Sequence, residues 1–289
     1  MSSWKATHDG SPIHAMTCDV EDYFQVSAFN DLVDRRDWEN LDCRIPRNID
    51  LILNLFAESD VKATFFTLGW VARHHPEVVR RISAAGHEIA SHGMEHIRVW
   101  QQSPTEFGED ALASRELLED VTGTPVIGYR AASWSIDDRT PWAHDMLAEA
   151  GYKYSSSIYP ISHDHFGMPN APTRPFLAGD SGVLEVPASV ARLFGRNVPA
   201  AGGGYFRLYP LQFSLWLIRK FQMPGRHPFV FYFHPWEMDP DQPRVGGASG
   251  KARFRHYLNL SKFEGRLQTL LERFNWGRMD EIYLDGGRS

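Results

Sequence analysis

The sequence predicts an α/β fold, specifically a distorted seven-stranded (β/α) barrel, on three observations. Short apolar, β-rich segments alternate with stretches of helical periodicity, the order expected of parallel strands joined by crossover helices. The 289 residues suit one α/β barrel, which commonly takes about 250. No GxGxxG follows a predicted strand, which argues against an open dinucleotide-binding sheet; the run Gly202-Gly203-Gly204 follows a loop.

Strands are predicted at Ile13–Thr17, Lys62–Thr67, His87–Ala90, Val126–Tyr129, Lys153–Ser155, Val183–Val186 and Pro228–Phe233. Between the first two, Pro46–Ser59 places Ile49, Ile52, Leu53 and Phe56 at helical spacing. Pro76–Ala85 carries Val78, Val79 and Ile82 and stops at Gly86, a C-terminal glycine signal. Ser103-Pro104-Thr105-Glu106 reads as a cap with proline at the first helical position. Further helices are expected at Pro141–Ala150, Pro210–Gln222 and Asn259–Phe274, with loops over 158–182 and 239–251. The chain reads as one domain over residues 1–289, with a C-terminal extension after about residue 235.

Composition removes several classes. With 43% hydrophobic and 23% charged residues, the chain is globular rather than disordered or fibrous. Its formal charge of −6 gives no reason to expect a nucleic-acid partner. Cys18 and Cys43 cannot build a disulfide framework, so a reduced compartment is expected. No sustained apolar segment follows Lys5 and no apolar run reaches about 18 residues. The expectation is a cytoplasmic protein without a membrane span; oligomeric state is open.

Asp19, His92, Arg130 and His234 each fall at or just past the carboxyl end of a different predicted strand. In an α/β barrel those ends converge on the face where chemistry is done. His92 and His96 are four apart; one helical turn after the strand would put both imidazoles on one face, a spacing suited to one metal ion. His163 and His165 form a second pair, read as loop residues. Asp19, Glu21 and Asp22 follow the first strand, and a carboxylate with two histidines is the usual ligand set of a catalytic zinc. A second, unligated carboxylate would serve as general base.

The third ligand stays open between Glu21 and Asp22. If the strand runs extended through Glu21, alternation puts Asp19 and Glu21 on one face, and Asp22 caps a helix starting at Tyr23. If the chain turns at Val20, Asp22 swings inward instead. The longer reach of glutamate favours Glu21.

Taken in order, these residues resemble the NodB-homology polysaccharide deacetylases. Thr17-Cys18-Asp19 looks like that family's first motif and His92-Gly93-Met94-Glu95-His96 its second. Arg130-Ala131-Ala132-Ser133 looks like the third and Phe233-His234-Pro235 the last. Asp19-Val20-Glu21-Asp22-Tyr23-Phe24 is similar to a subgroup associated with exopolysaccharide-export loci. The sequence departs from the family in splitting the adjacent aspartates, in placing Ala-Ala-Ser-Trp after Arg130, and in having Gly93 for a hydroxyl residue.

The resemblance implies a barrel of the NodB type and metal-dependent removal of N-acetyl groups from amino sugars in a poly- or oligosaccharide. It implies a divalent ion, zinc or else cobalt(II), on His92, His96 and one of Glu21 and Asp22. Asp19 would be the base, Arg130 its orienting partner, His234 the acid and the Ser133 amide an oxyanion donor. Trp134 and Trp236 are expected to meet the sugar, since pyranose faces stack on rings. The alternatives are a non-sugar amidase acting on a cyclic ureide or imide, and a non-catalytic sugar-binding scaffold.

Overall fold

The computed structural model describes residues 6–7, 10–164, 166–222 and 226–284. Seven parallel strands form its centre: β1 (Ile13–Val20), β2 (Thr64–Thr67), β3 (Glu88–Ser91), β4 (Gly128–Tyr129), β5 (Tyr154–Ser155), β7 (Leu184–Glu185) and β10 (Val230–Phe233). They hydrogen-bond in the order β10-β1-β2-β3-β4-β5-β7, and each coincides with a strand expected from the sequence. β6 (Phe176–Leu177) pairs antiparallel to β7 at one end of the path. β11 (Asn275–Gly277) pairs with the start of β1. A hairpin of β8 (Val190–Leu193) and β9 (Arg196–Pro199) stands apart as its own sheet.

The sheet curls without closing into a continuous ladder among the described residues. On the free edge of β10 the Val230 amide donates instead to Ser189 Oγ at 2.8 Å. A side chain thus bridges the seam that a barrel would close with backbone pairing.

Helices α1 (Ile45–Glu58), α2 (Gly69–His74), α3 (Pro76–Ala84), α4 (Pro104–Thr122) and α5 (Ala143–Glu149) cover the outer face of the first five strands. α6 (Gly203–Leu208), α7 (Leu211–Arg219), α8 (Gly250–Tyr257), α9 (Phe263–Arg273) and α10 (Met279–Tyr283) follow. The expected start of α4 is a full capping box, Ser103 with Glu106, and its end is Gly123 at φ +68°. Of these helices, α2, α6, α8 and α10 lack a sequence counterpart; α6 begins within the glycine run Gly202-Gly203-Gly204.

Alternation along β1 sets the site. Met16, Cys18 and Val20 point outward into the main hydrophobic core beneath the helices. Ala15 points inward to a second core with Phe66, Tyr154 and Val230, which α10 plugs with Met279 and Ile282. Thr17 and Asp19, on the inward face above Ala15, step up toward the open end.

Candidate active site

Arg130, just past β4, fills the barrel interior below the site and is fully buried. Every guanidinium nitrogen is used. Nη1 donates to Asp19 Oδ1 at 2.6 Å and to Thr17 Oγ1 at 2.8 Å. Nε donates to the Ser156 carbonyl and Nη2 to its hydroxyl. Its carbon lies 4.0 Å from the Phe66 ring centroid, so the cation is held by an aromatic face as well as by acceptors. Asp19 is therefore fixed through Oδ1, leaving Oδ2 toward the cluster, 3.9 Å from His234 Nε2.

Glu21, His92 and His96 are all buried, and one ligand atom from each lies within 4.8 Å of the others. His92 Nδ1 donates to the Arg130 carbonyl at 2.7 Å, which leaves its Nε2 lone pair free. Burial holds the His92 imidazole down to about 4, so it is neutral at pH 7. Burial opposes the Glu21 charge, yet His96 and His234 pull that carboxyl down to about 2. Glu21 Oε2, 2.9 Å from His96 Nε2, makes no aligned hydrogen bond, and His96 Nδ1 is buried without one. Unsatisfied buried acceptors in a two-histidine, one-carboxylate set fit a divalent cation.

The loop that carries the histidines is not the helical turn expected. Gly93 (φ +77°) and His96 (φ +54°) are left-handed, and external groups pin the backbone between them. Gly69 and Trp70 amides donate to the Gly93 and Met94 carbonyls, each at 2.8 Å. Arg35 donates to the Glu95 carbonyl at 2.8 Å. Asp110 of α4, half-buried and pushed up to about 6 by its desolvation, accepts from the Met94 amide at 3.2 Å. Glycine suits position 93 because a side chain at φ +77° is strained, and a Cβ there would also stand 2.9 Å from Asp110 Oδ2.

The β1 exit also departs from expectation. The chain turns at Val20, where the Glu21 amide donates to the Asp19 carbonyl at 2.9 Å, yet Glu21 still enters the cluster. Asp22 lies outside it and no helix starts at Tyr23. Its carboxylate accepts the amides of Tyr23 (2.8 Å), Arg44 (2.6 Å) and Ile45 (3.2 Å), tying the turn to the start of α1. Three amides occupy the oxygens a cation would need.

His234 leaves β10 with Nε2 aimed at the cluster, 3.5 Å from Glu21 Oε1. Its Nδ1 donates to Glu237 Oε2 at 3.1 Å, and its backbone amide donates to the same oxygen at 3.0 Å. Glu237 is fully buried and paired with Arg207 Nε at 2.7 Å. Burial works against a charged imidazole here, but Glu21, Glu237 and Asp19 push His234 up to about 9.

Trp236 and Trp134 do not stand open for a sugar. Trp236 is 6% exposed, stacked with His234 and with His256, and its Nε1 donates toward Glu21 Oε1 at 3.4 Å. Trp134 is 5% exposed and packed on Arg130, Tyr159 and Tyr232. Ser133, half-buried at φ +56°, sits on the rim with its hydroxyl against Ser27. Of the second histidine pair, His163 stacks on Phe166 and His165 lies outside the described residues.

Sequence reasoning missed Glu237, Arg207, Asp110 and Ser156. Only Glu237 had a local signal, its three-residue spacing from His234 across a proline at the first helical position.

Residues 34–155 match the polysaccharide deacetylase family, and residues 156–284 match a domain of unknown function, DUF3473. Over residues 34–155, short of half of its length, the chain is similar to polysaccharide deacetylases. The boundary between the two matches falls at the end of β5, inside one sheet. The chain is 32% identical over 114 residues to a peptidoglycan deacetylase of Helicobacter pylori, covering 39% of this chain and 36% of that protein. It is 29% identical over 97 residues to a chitooligosaccharide deacetylase of Bradyrhizobium, covering 34% and 42% respectively. The chain thus spans roughly two fifths of the length of these curated relatives. The fold is shared with a Mycobacterium smegmatis protein assigned as a polysaccharide deacetylase (TM-score 0.61, 21% identity, 97% of this chain and 92% of that one).

Proposed function

We propose that this protein hydrolyses N-acetyl groups on amino sugars of a poly- or oligosaccharide, of the exopolysaccharide type. The observation that carries the reading is the convergence of Asp19, Glu21, His92, His96 and His234 on one buried cluster at the strand ends. Relatives named for peptidoglycan and chitooligosaccharide support the substrate class.

Glu21, His92 and His96 would hold a divalent ion, zinc or cobalt(II). Such an ion supplies Lewis acidity, polarising the amide carbonyl and acidifying water. Asp19, its Oδ1 locked by Arg130, takes the proton of the attacking water on Oδ2. Arg130 is a positioning residue, since it is fully buried and each of its guanidinium nitrogens already donates within the protein. The Ser133 amide stabilises the developing oxyanion. His234, protonated on Nε2 and oriented through Nδ1 by Glu237, delivers a proton to the departing sugar nitrogen, because an amide anion is a very poor leaving group.

Acetate release from N-acetylated oligosaccharides, measured before and after chelation and on adding back Zn²⁺ or Co²⁺, tests this. Loss and recovery of release is the expected result. Full turnover by chelated protein, or ring opening of a cyclic ureide without acetate, would overturn it.

A further inference from the structure

Between Glu185 and Glu237 the sequence runs for 51 residues without a single Asp or Glu. The same stretch contains Arg192, Arg196, Arg207, Arg219, Lys220 and Arg226, six cations. Subtracting its +6 from the chain's −6 leaves the remaining 238 residues at −12. Charge on this protein is therefore segregated along the chain.

Arg207 is buried against Glu237 and belongs to the site. Arg192, Arg196, Arg219 and Arg226 are exposed and Lys220 is half-buried; none of the five forms an ion pair with a described residue. Interleaved with them are large apolar groups in water. Phe194 is fully exposed, Leu208 is 48% and Trp216 is 42% exposed. Trp216 stacks on Phe213 and carries Lys220 Nζ 4.2 Å from its ring.

Phe194 is the most telling of these. It occupies the tip of the β8–β9 hairpin with Gly195, at φ +49° and +77°. That two-residue turn favours Asn-Gly or Gly-Gly, because a side chain at positive φ is strained. Here an aromatic ring accepts the strain and buries nothing of itself within the fold.

We propose that the segment 190–222, through the hairpin tip and the α6–α7 region, docks this protein on an anionic phospholipid surface. Cations answer the lipid phosphates, while Phe194, Leu208 and Trp216 enter the headgroup and acyl boundary, where aromatic rings are favoured. An acidic glycan fits less well. Its carboxylates would meet the cations, but sugar hydroxyls would find no carboxylate acceptor in this segment for their own donors, and Leu208 offers no face for stacking. Docking of this kind is peripheral, consistent with no described helix being long and apolar enough to cross a membrane. The inference does not rest on the deacetylase reading.

The test is flotation of the whole chain with vesicles of phosphatidylcholine containing phosphatidylglycerol, against phosphatidylcholine alone. Binding only to the anionic vesicles, weakened by salt, is expected. Phe194→Ser and Trp216→Ser should each weaken it about 10-fold. Arg192→Glu with Arg196→Glu should weaken it at least about 20-fold. All of these variants should keep wild-type melting and metal content. Absence of binding, equal binding to both vesicles, or undiminished binding by all variants would overturn the proposal. So would retention on a carboxylated polysaccharide matrix without vesicle binding.

Discussion

Replacing Glu237 by glutamine removes one buried charge while leaving the side-chain shape intact. The carboxylate accepts from His234 Nδ1 at 3.1 Å and from Arg207 at 2.7 Å, both in the interior. A charge-assisted hydrogen bond contributes about 1.5–3 kcal/mol and a neutral one about 0.5–1.5. The difference, about 1–1.5 kcal/mol, is close to one pH unit of imidazole affinity for its proton. His234, raised to about 9 with the Glu21 charge bare, acts as an acid only while protonated; a cation on Glu21 lowers that value, and the wild-type rate should fall as pH rises through it. In Glu237→Gln this basic limb should move down by about one pH unit. The sign carries over to stability: a raised histidine contributes fully below about 6.5 and loses its contribution as pH rises through about 9, so the variant's stabilising window narrows from the alkaline side. Glutamine offers one oxygen where Glu237 uses two, so with that oxygen toward His234 its NH2 faces the buried Arg207, which also loses its counter-charge, and the melting temperature should fall substantially. The assay is kcat against pH on an N-acetylated oligosaccharide, with thermal melts at the same pH values. A basic limb that stays in place in a folded variant would refute the assignment of that limb to His234.

Other substitutions separate the roles within the cluster. His92→Ala, His96→Ala and Glu21→Gln should each lose metal by elemental analysis, whereas Asp22→Asn should keep it and instead lose about 1–3 kcal/mol of stability, because its oxygens serve three backbone amides. Asp19→Asn should retain metal and lose most turnover, since the amide does not take the water's proton; retention of turnover would remove Asp19 as base. His234→Ala should suffer far more on the amide than on an activated ester, and equal losses would exclude the acid role. Asp110→Ala should weaken metal affinity about 10-fold by releasing the Met94 amide, with Asp110→Asn restoring most of it in a competition titration.

What the sequence made legible was whatever is written locally. The seven parallel strands declared themselves as apolar runs, even where, as in β4 and β5, only two residues of each form the ladder. The positions of Asp19, His92, Arg130 and His234 at strand exits followed from those runs. The means by which Glu21 reaches the cluster did not, since it depends on a turn at Val20 rather than on strand alternation. Nor did the support of His92 and His96, where helical spacing suggested a turn of helix and the fold instead uses two left-handed residues with anchors from Gly69, Arg35 and Asp110. Those anchors lie on other elements, and a single sequence carries no signal for such pairings. The tryptophans misled for a related reason: sugar-facing and core-facing rings have the same composition.

The seam bridged by Ser189 divides the wall unevenly. All the reacting groups hang from β10, β1, β3 and β4, which lie within one unbroken run of the ladder, while the gap opens between the free edge of β10 and the chain that follows β7. Breathing at the seam can therefore admit solvent to the Val230 amide without breaking a ladder bond between the strands that carry Asp19, His92 and His234. The protein can loosen as a cylinder while remaining stiff as an arc, and catalysis needs only the arc.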